Sequence, residues 1–191
     1  MNKNFIFLKS IADISEETFK DIQKITEFKR VEAGTQIVKL DEVPTKIYML
    51  VSGVIRCYIC TESGKEFNKS FYLANSFVGS LTALLKNKPS ILVFEALSDC
   101  KIYEVDYHKL MKLCDKKPKL KAMYTKVLEG LYVKYEKRLV EMISMDATCR
   151  YLELRRQNPN IDELISQYHI ASYLGITAVQ LSRINKKIKS Y

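Results

Sequence analysis

A chain of 191 residues with 47% hydrophobic content can bury a core of its own, which excludes a disordered tail and fits one large domain or two small ones. The 31 Lys and Arg outweigh 22 Asp and Glu, and the resulting formal charge of +9 suits a polyanionic partner. No stretch approaches the roughly 20 apolar residues of a bilayer span, and charged breaks within the first 14 residues exclude a signal-peptide core, so the expected location is cytoplasmic and no membrane partner is expected.

Ser15 is placed to cap a short helix whose apolar residues Phe19, Ile22 and Ile25 recur at helical spacing. From Phe28 to about Val105, short runs of Val, Ile, Tyr and Phe alternate with turn signals. These are Glu32-Ala33-Gly34, Asp41-Glu42-Val43-Pro44, Ser52-Gly53, Glu62-Ser63-Gly64-Lys65, Ala74-Asn75 and Asn87-Lys88-Pro89. This spacing predicts a compact antiparallel roll or sandwich. The cysteines Cys57, Cys60, Cys100, Cys114 and Cys149 form an odd, scattered set and read as thiols. Cys57 and Cys60 have a metal-like spacing, yet in a strand they point to opposite faces and no second pair completes four ligands.

Beyond Asp106 the pattern is helical. Tyr107 to Asp115 reads as a short helix, and Pro118 opens a longer one reaching about Met145. On the long helix Leu120, Tyr124, Leu128, Leu131, Tyr135, Leu139 and Met142 form a seam close to that of a coiled coil. The seam fits either self-pairing or packing on the chain's own roll. Tyr124, Tyr132 and Tyr135 read as packing residues on this helix.

The segment from Ala147 to Tyr191 carries the most specific pattern, running from Gln167 to Ile188. Ala171 is small where two helices cross closely, Gly175 permits the positive backbone angle of a turn, and Ile176 plugs that turn into the core. Thr177 caps the second helix. On a helical projection Leu181, Ile184 and Ile188 share a face with Thr177, whereas Val179, Ser182, Arg183 and Lys186 lie opposite. The second set suits a recognition helix, because Arg reaches guanine edges bidentately and Lys neutralises phosphates. Val179 is either an isolated surface residue or a partner for a thymine methyl. His169, at the start of the motif, is either a phosphate contact or a solvated helix residue.

A glycine-punctuated roll, a long helix and a terminal helix-turn-helix, in that order, resemble the Crp/Fnr family of bacterial regulators across nearly the whole chain. Glu32-Ala33-Gly34-Thr35 resembles the entry to the family's first roll strand, Tyr48 to Val54 its strand-turn-strand signature, and Glu62 to Glu66 its hairpin. The stretch from Thr177 to Arg183 resembles its recognition helix. The resemblance implies an α+β fold: an N-terminal antiparallel β-roll (a double-stranded β-helix of the cyclic-nucleotide-binding kind) over residues 1–117, a dimerisation helix over 118–145, and a DNA-binding helix-turn-helix over 146–191. Thr177, Ala178, Val179, Gln180, Ser182, Arg183, Lys186, Lys187 and His169 become the candidate DNA contacts. A homodimer on a near-palindromic duplex operator and contact with RNA polymerase are likewise implied.

The resemblance also implies an effector pocket. In members that bind cyclic AMP, a Gly-Glu pair holds the ribose and an Arg followed by a small hydroxyl residue holds the cyclic phosphate. Here Gly79 is followed by Ser80, and Ser90 and Ile91 stand near the expected Arg. Losing two charged contacts costs about 1.5 to 3 kcal/mol each, so cyclic AMP is not expected, while another small effector stays open. Gly79, Ser80, Ser90, Ile91 and Tyr124 are the candidate pocket residues, and Lys86 or Lys88 is a substitute charge or simply solvated. The family's redox members hold an iron-sulfur cluster on cysteines near the N terminus, and no cysteine precedes Cys57 here. His108 and His169 sit in different segments, so no metal, haem or other cofactor is expected.

No phosphate-cradling glycine loop, nucleophile elbow or zinc-protease motif is present, so no enzymatic activity is expected. The family's β-hairpin wing is expected to be mostly lacking, since only Lys187 to Tyr191 follow the recognition helix. That leaves Arg150, Arg155, Arg156, Lys186, Lys187 and Lys189 as phosphate partners. The competing reading is a ligand- or partner-sensing module acting through protein contacts.

Overall fold

The structure is a computed structural model and describes residues 2–189, the Lys189 side chain excepted. Helix α1 (Lys3–Ile11) begins at Asn2, whose side chain accepts a hydrogen bond from the Asn4 N–H at 2.9 Å. A Phe-Ile-Phe run carries no helical period, so nothing in the sequence marks this helix; burial of Phe5 and Leu8 against Phe19, Leu120 and Met123 decides its state. Helix α2 (Glu16–Ile25) starts where expected, with the Ser15 hydroxyl accepting from the Thr18 N–H at 3.2 Å.

Eight strands follow: β1 (Thr26–Val31), β2 (Gln36–Val38), β3 (Lys46–Ser52), β4 (Ile55–Cys60), β5 (Glu66–Tyr72), β6 (Ser76–Val78), β7 (Val93–Ala96) and β8 (Cys100–Asp106). An unexpected single helix, α3 (Leu81–Lys86), interrupts them. The strands form two four-stranded antiparallel sheets, ordered β1-β8-β3-β6 and β2-β7-β4-β5. Leu50, Ile55, Cys57, Phe94, Ala96 and Ile102, all essentially inaccessible, fill the space between them. The turn spacing predicts a roll or sandwich, and the two packed antiparallel sheets answer to it. Gly53 makes its tightest turn, between β3 and β4. Its φ is +97°, and a Cβ there would sit 2.5 Å from Cys100 Sγ and 2.6 Å from the Asp99 carbonyl, so no side chain fits.

Helix α4 (Tyr107–Lys116) is capped by Asp106 and runs into α5 (Pro118–Ser144), which opens with its proline in the first turn. The helices α6 (Ala147–Gln157), α7 (Ile161–Leu164), α8 (Gln167–Leu174) and α9 (Ala178–Lys189) complete the chain. They share a core of Tyr151, Ile161, Ile170, Leu174 and Leu181.

The seam expected on α5 divides in two. Leu120, Tyr124, Leu128, Leu131 and Tyr135 turn toward the chain's own roll. Leu139 is left 60% exposed beside Tyr132, Val140 and Ile143, at 66%, 54% and 77%. The two stripes lie on adjacent faces because 3.6 residues per turn rotates a seven-residue repeat steadily around a straight helix.

Candidate nucleic-acid interface and roll cavity

Helices α8 and α9 meet at a turn whose geometry follows from three residues. Gly175 adopts φ +71°, its N–H and that of Ile176 reach back to carbonyls of α8, and Ile176 packs into the shared core. Thr177 and Gln180 then form a reciprocal cap: the Gln180 N–H donates to Thr177 Oγ1 at 3.2 Å, and the Thr177 N–H donates to Gln180 Oε1 at 2.9 Å. Gln180 is exposed as expected, but its carbonyl oxygen is committed to this cap.

The two expected faces of α9 are present. Leu181 is fully buried and Ile184 and Ile188 are half-buried, while Ala178, Val179, Ser182, Arg183, Lys186 and Lys187 are exposed, Val179 to 62%. Ala178, Ser182, Asn185 and Lys186 border a hollow shared with Gln167, so the first helix contributes to the same surface. Asn185, which the sequence reading passed over, donates to Gln167 Oε1 at 2.8 Å and fixes the angle between the helices.

Three arginines offered for phosphate contact are committed elsewhere. Arg150 donates to the carbonyls of Met145 and Leu174, tying α6 to the ends of α5 and α8. Arg155 pairs with Asp162 at 3.1 Å, and Arg156 grips Glu153 at 2.7 and 2.8 Å. The Arg156 pair is local to α6, three residues along one helix face, whereas the Arg150 and Arg155 partners are brought close by the packing of α6 on its neighbours. The Lys189 side chain lies outside the described residues.

His169 requires a correction. Its ring faces the roll, with Nδ1 3.3 Å from Asn68 Nδ2 and 3.5 Å from Arg56 Nη1, and not the surface carrying Arg183. Burial first, and the Arg56 charge second, hold its pKa below the ordinary 6.5, partly offset by Glu95 and Glu66. The reason is the docking of α8 on the open edge of β5. Ser172 Oγ donates to the Glu66 carbonyl at 3.2 Å and accepts from the Asn68 N–H at 3.0 Å, so a side chain supplies what a neighbouring strand would. Arg56, only 5% exposed, anchors the junction through Glu66 at 2.6 Å and Glu95 at 2.8 Å. Sequence patterning gave no signal for Arg56, Asn68 or Ser172, because their partners lie up to 113 residues away.

The effector residues also separate. A cavity of about 220 Å³ lies between the roll and α5, and Gly79 and Tyr124 line it. Ser80 and Ser90 do not. They are buried and bonded to each other, Oγ to Oγ at 2.8 Å, and Ser90 Oγ also bonds the Leu92 backbone, so neither hydroxyl lines the cavity. Ile91 is 73% exposed and points to solvent because it sits in the loop beyond that bond. These positions do not fit a cyclic phosphate. The cysteines do not form a cluster of ligands either: Cys57 and Cys100 are buried in the core between the sheets, Cys114 is buried beside Phe5 and Leu120, Cys149 is exposed on α6, and burial pushes the Cys57 thiol up to about 11. Among the described residues no group of three or more His, Cys, Asp or Glu is arranged to hold a metal ion. No described helix is long and apolar enough to cross a membrane.

A roll followed by a long helix and a helix-turn-helix is also the arrangement of the solved structures that the chain resembles. Residues 28–117 match the cyclic nucleotide-binding domain. The fumarate and nitrate reduction regulatory protein of Shigella dysenteriae is 23% identical over 184 residues, covering 90% of this chain and 72% of that protein. The anaerobic regulatory protein of Haemophilus influenzae is 24% identical, covering 90% and 70%. Among solved structures, the c-di-GMP responsive global regulator CLP of Xanthomonas campestris superposes with a TM-score of 0.72 at 14% identity, covering 92% of each chain. A variant of CooA from Carboxydothermus hydrogenoformans gives 0.71 at 19% identity, covering 89% and 79%. Over most of its length the chain is similar to transcription regulators of the Crp/Fnr type. Its relatives are regulators rather than enzymes.

Proposed function

We propose that the chain acts as a homodimer that reads duplex DNA with α9 and does not respond to cyclic AMP. Residues 1–117 form the sensory unit, 118–145 the dimerisation helix and 146–191 the DNA-binding unit. The observation that carries this reading is α9 itself: one side seated in the core through Leu181, and the other presenting Val179, Ser182, Arg183 and Lys186 without an acidic residue. Arg183 suits a guanine edge, Val179 a thymine methyl, and Lys186 and Lys187 the phosphates. Thr177 and Ala178, at the helix start, approach the backbone most closely, and Gln180 retains its amide NH₂ for a base.

The exposed Tyr132, Leu139, Val140 and Ile143 support pairing of α5 with its copy, which would space the half-sites about one helical turn, or 34 Å, apart. RNA polymerase is a further partner by analogy with the relatives. The buried, mutually bonded Ser80 and Ser90 and the outward Ile91 support the absence of a response to cyclic AMP. Selection of bound duplexes from a random pool tests the proposal. A two-fold symmetric consensus is expected, and recovery of unselected sequences would refute it. Stabilisation by micromolar cyclic AMP in a thermal shift would refute the effector part.

A further inference from the structure

The cavity between the roll and α5 is walled by side chains such as Phe19, Phe77, Leu92, Phe94 and Leu131, and its exposed lining is mostly carbon. One charged residue interrupts the lining among the described residues, Lys69. Its ammonium lies 4.1 Å from the centre of the Tyr135 ring, and no carboxylate pairs with it among the described residues. A second cation, Lys134, lies 5.5 Å from the ring of Tyr72, another lining residue, and likewise has no acidic partner there. Lys69 is half-buried against the apolar lining, and a ring face replaces only part of what an anion would supply to its ammonium.

We propose that this cavity binds a small hydrophobic carboxylate whose charge pairs with Lys69. An apolar cavity of about 150 Å³ admits benzene, so about 220 Å³ suits a molecule of roughly ten to fifteen non-hydrogen atoms. One unpaired cation in the wall matches one negative charge, whereas a cyclic nucleotide would place a polar ribose against carbon. The inference rests on the reading of residues 1–117 as a sensory unit and needs no DNA. Lys69 also sits in β5 between Asn68 and Tyr72, so a carboxylate drawn to it acts on the strand that holds α8.

Calorimetric titration of the full chain with decanoate and with decanol, in the absence of DNA, tests the assignment. Decanoate is expected to bind the unaltered protein, and Lys69→Met is expected to weaken it about tenfold or more while leaving decanol unchanged, the factor that one charge-assisted contact supplies. Leu131→Trp, which fills the cavity, is expected to abolish binding of both. No heat with decanoate, equal affinity in Lys69→Met, or binding that survives Leu131→Trp would each overturn the proposal. A gel shift on the same preparations reports DNA binding separately, so failure there is read apart from failure here.

Discussion

Arg183, Val179, Gly175 and His169 each carry one separable consequence. Arg183 is exposed on the outer face of α9, so Arg183→Ala is expected to cost about 1 to 3 kcal/mol of DNA discrimination and leave the melting temperature unchanged. Measured affinities for matched and mismatched duplexes check this. Val179→Ala is expected to weaken selection at a thymine position alone; an unaltered consensus would show Val179 to be a bystander. Gly175 adopts φ +71° with room for a Cβ, whose nearest neighbour would be Met142 Cε at 3.6 Å. Gly175→Ala therefore costs only the left-handed backbone penalty, about 1 to 2 kcal/mol in urea unfolding, whereas at Gly53 the same change has no space at all.

His169 adds a pH dependence with a defined sign. Its folded pKa lies below 6.5, so on acidification the unfolded chain takes up the proton first. Stability is therefore complete above pH 6.5 and falls as pH drops through the window below it. The groups facing the ring are Arg56 and Asn68, with Glu66 and Glu95 behind Arg56. Chemical denaturation at stepped pH is expected to show this slope in the unaltered protein and a shallower one in His169→Gln.

Two elements carry the molecule's longer-range behaviour. Helix α5 presents one apolar stripe to its own roll and the neighbouring stripe to solvent, so substitutions on the two stripes have different readouts. Leu139→Glu with Ile143→Glu is expected to give a folded monomer in sedimentation, because both positions are more than half exposed. Strand β5 gives its edge to α8 through Asn68 and the Glu66 carbonyl, and its Lys69 and Tyr72 to the cavity wall. Ser172→Ala is expected to raise amide exchange in α8 and α9 without altering exchange in β3 or β8.

At the scale of the whole molecule, the charge of +9 is distributed unevenly in its effect. Arg56, Arg138 and Arg150 are bound inside the protein to acids or carbonyls, Arg155 and Arg156 pair with acids at its surface, and Lys186 on α9 stands exposed without a carboxylate on its own helix. The salt slope of DNA binding is therefore expected to fall by about one per protomer in Lys186→Ala and to stay unchanged in Arg156→Ala.

The order of elements was legible in the sequence because it rests on local signals. Turn residues at regular spacing marked the strands, Ser15 and Pro118 marked helix starts, and Gly175 with Thr177 marked the turn of the helix-turn-helix. The two faces of α9 followed from helical period alone. What tertiary structure decided were the partners of polar groups and the direction of ambiguous faces. His169 turned to the roll because Arg56 and Asn68 wait there, Ser80 and Ser90 turned to each other and away from the cavity, and the seam of α5 split between the roll and solvent. Local sequence determines which backbone conformations are cheap. The use of a buried charge or hydroxyl is settled by groups distant in the chain, which only packing brings within hydrogen-bond reach.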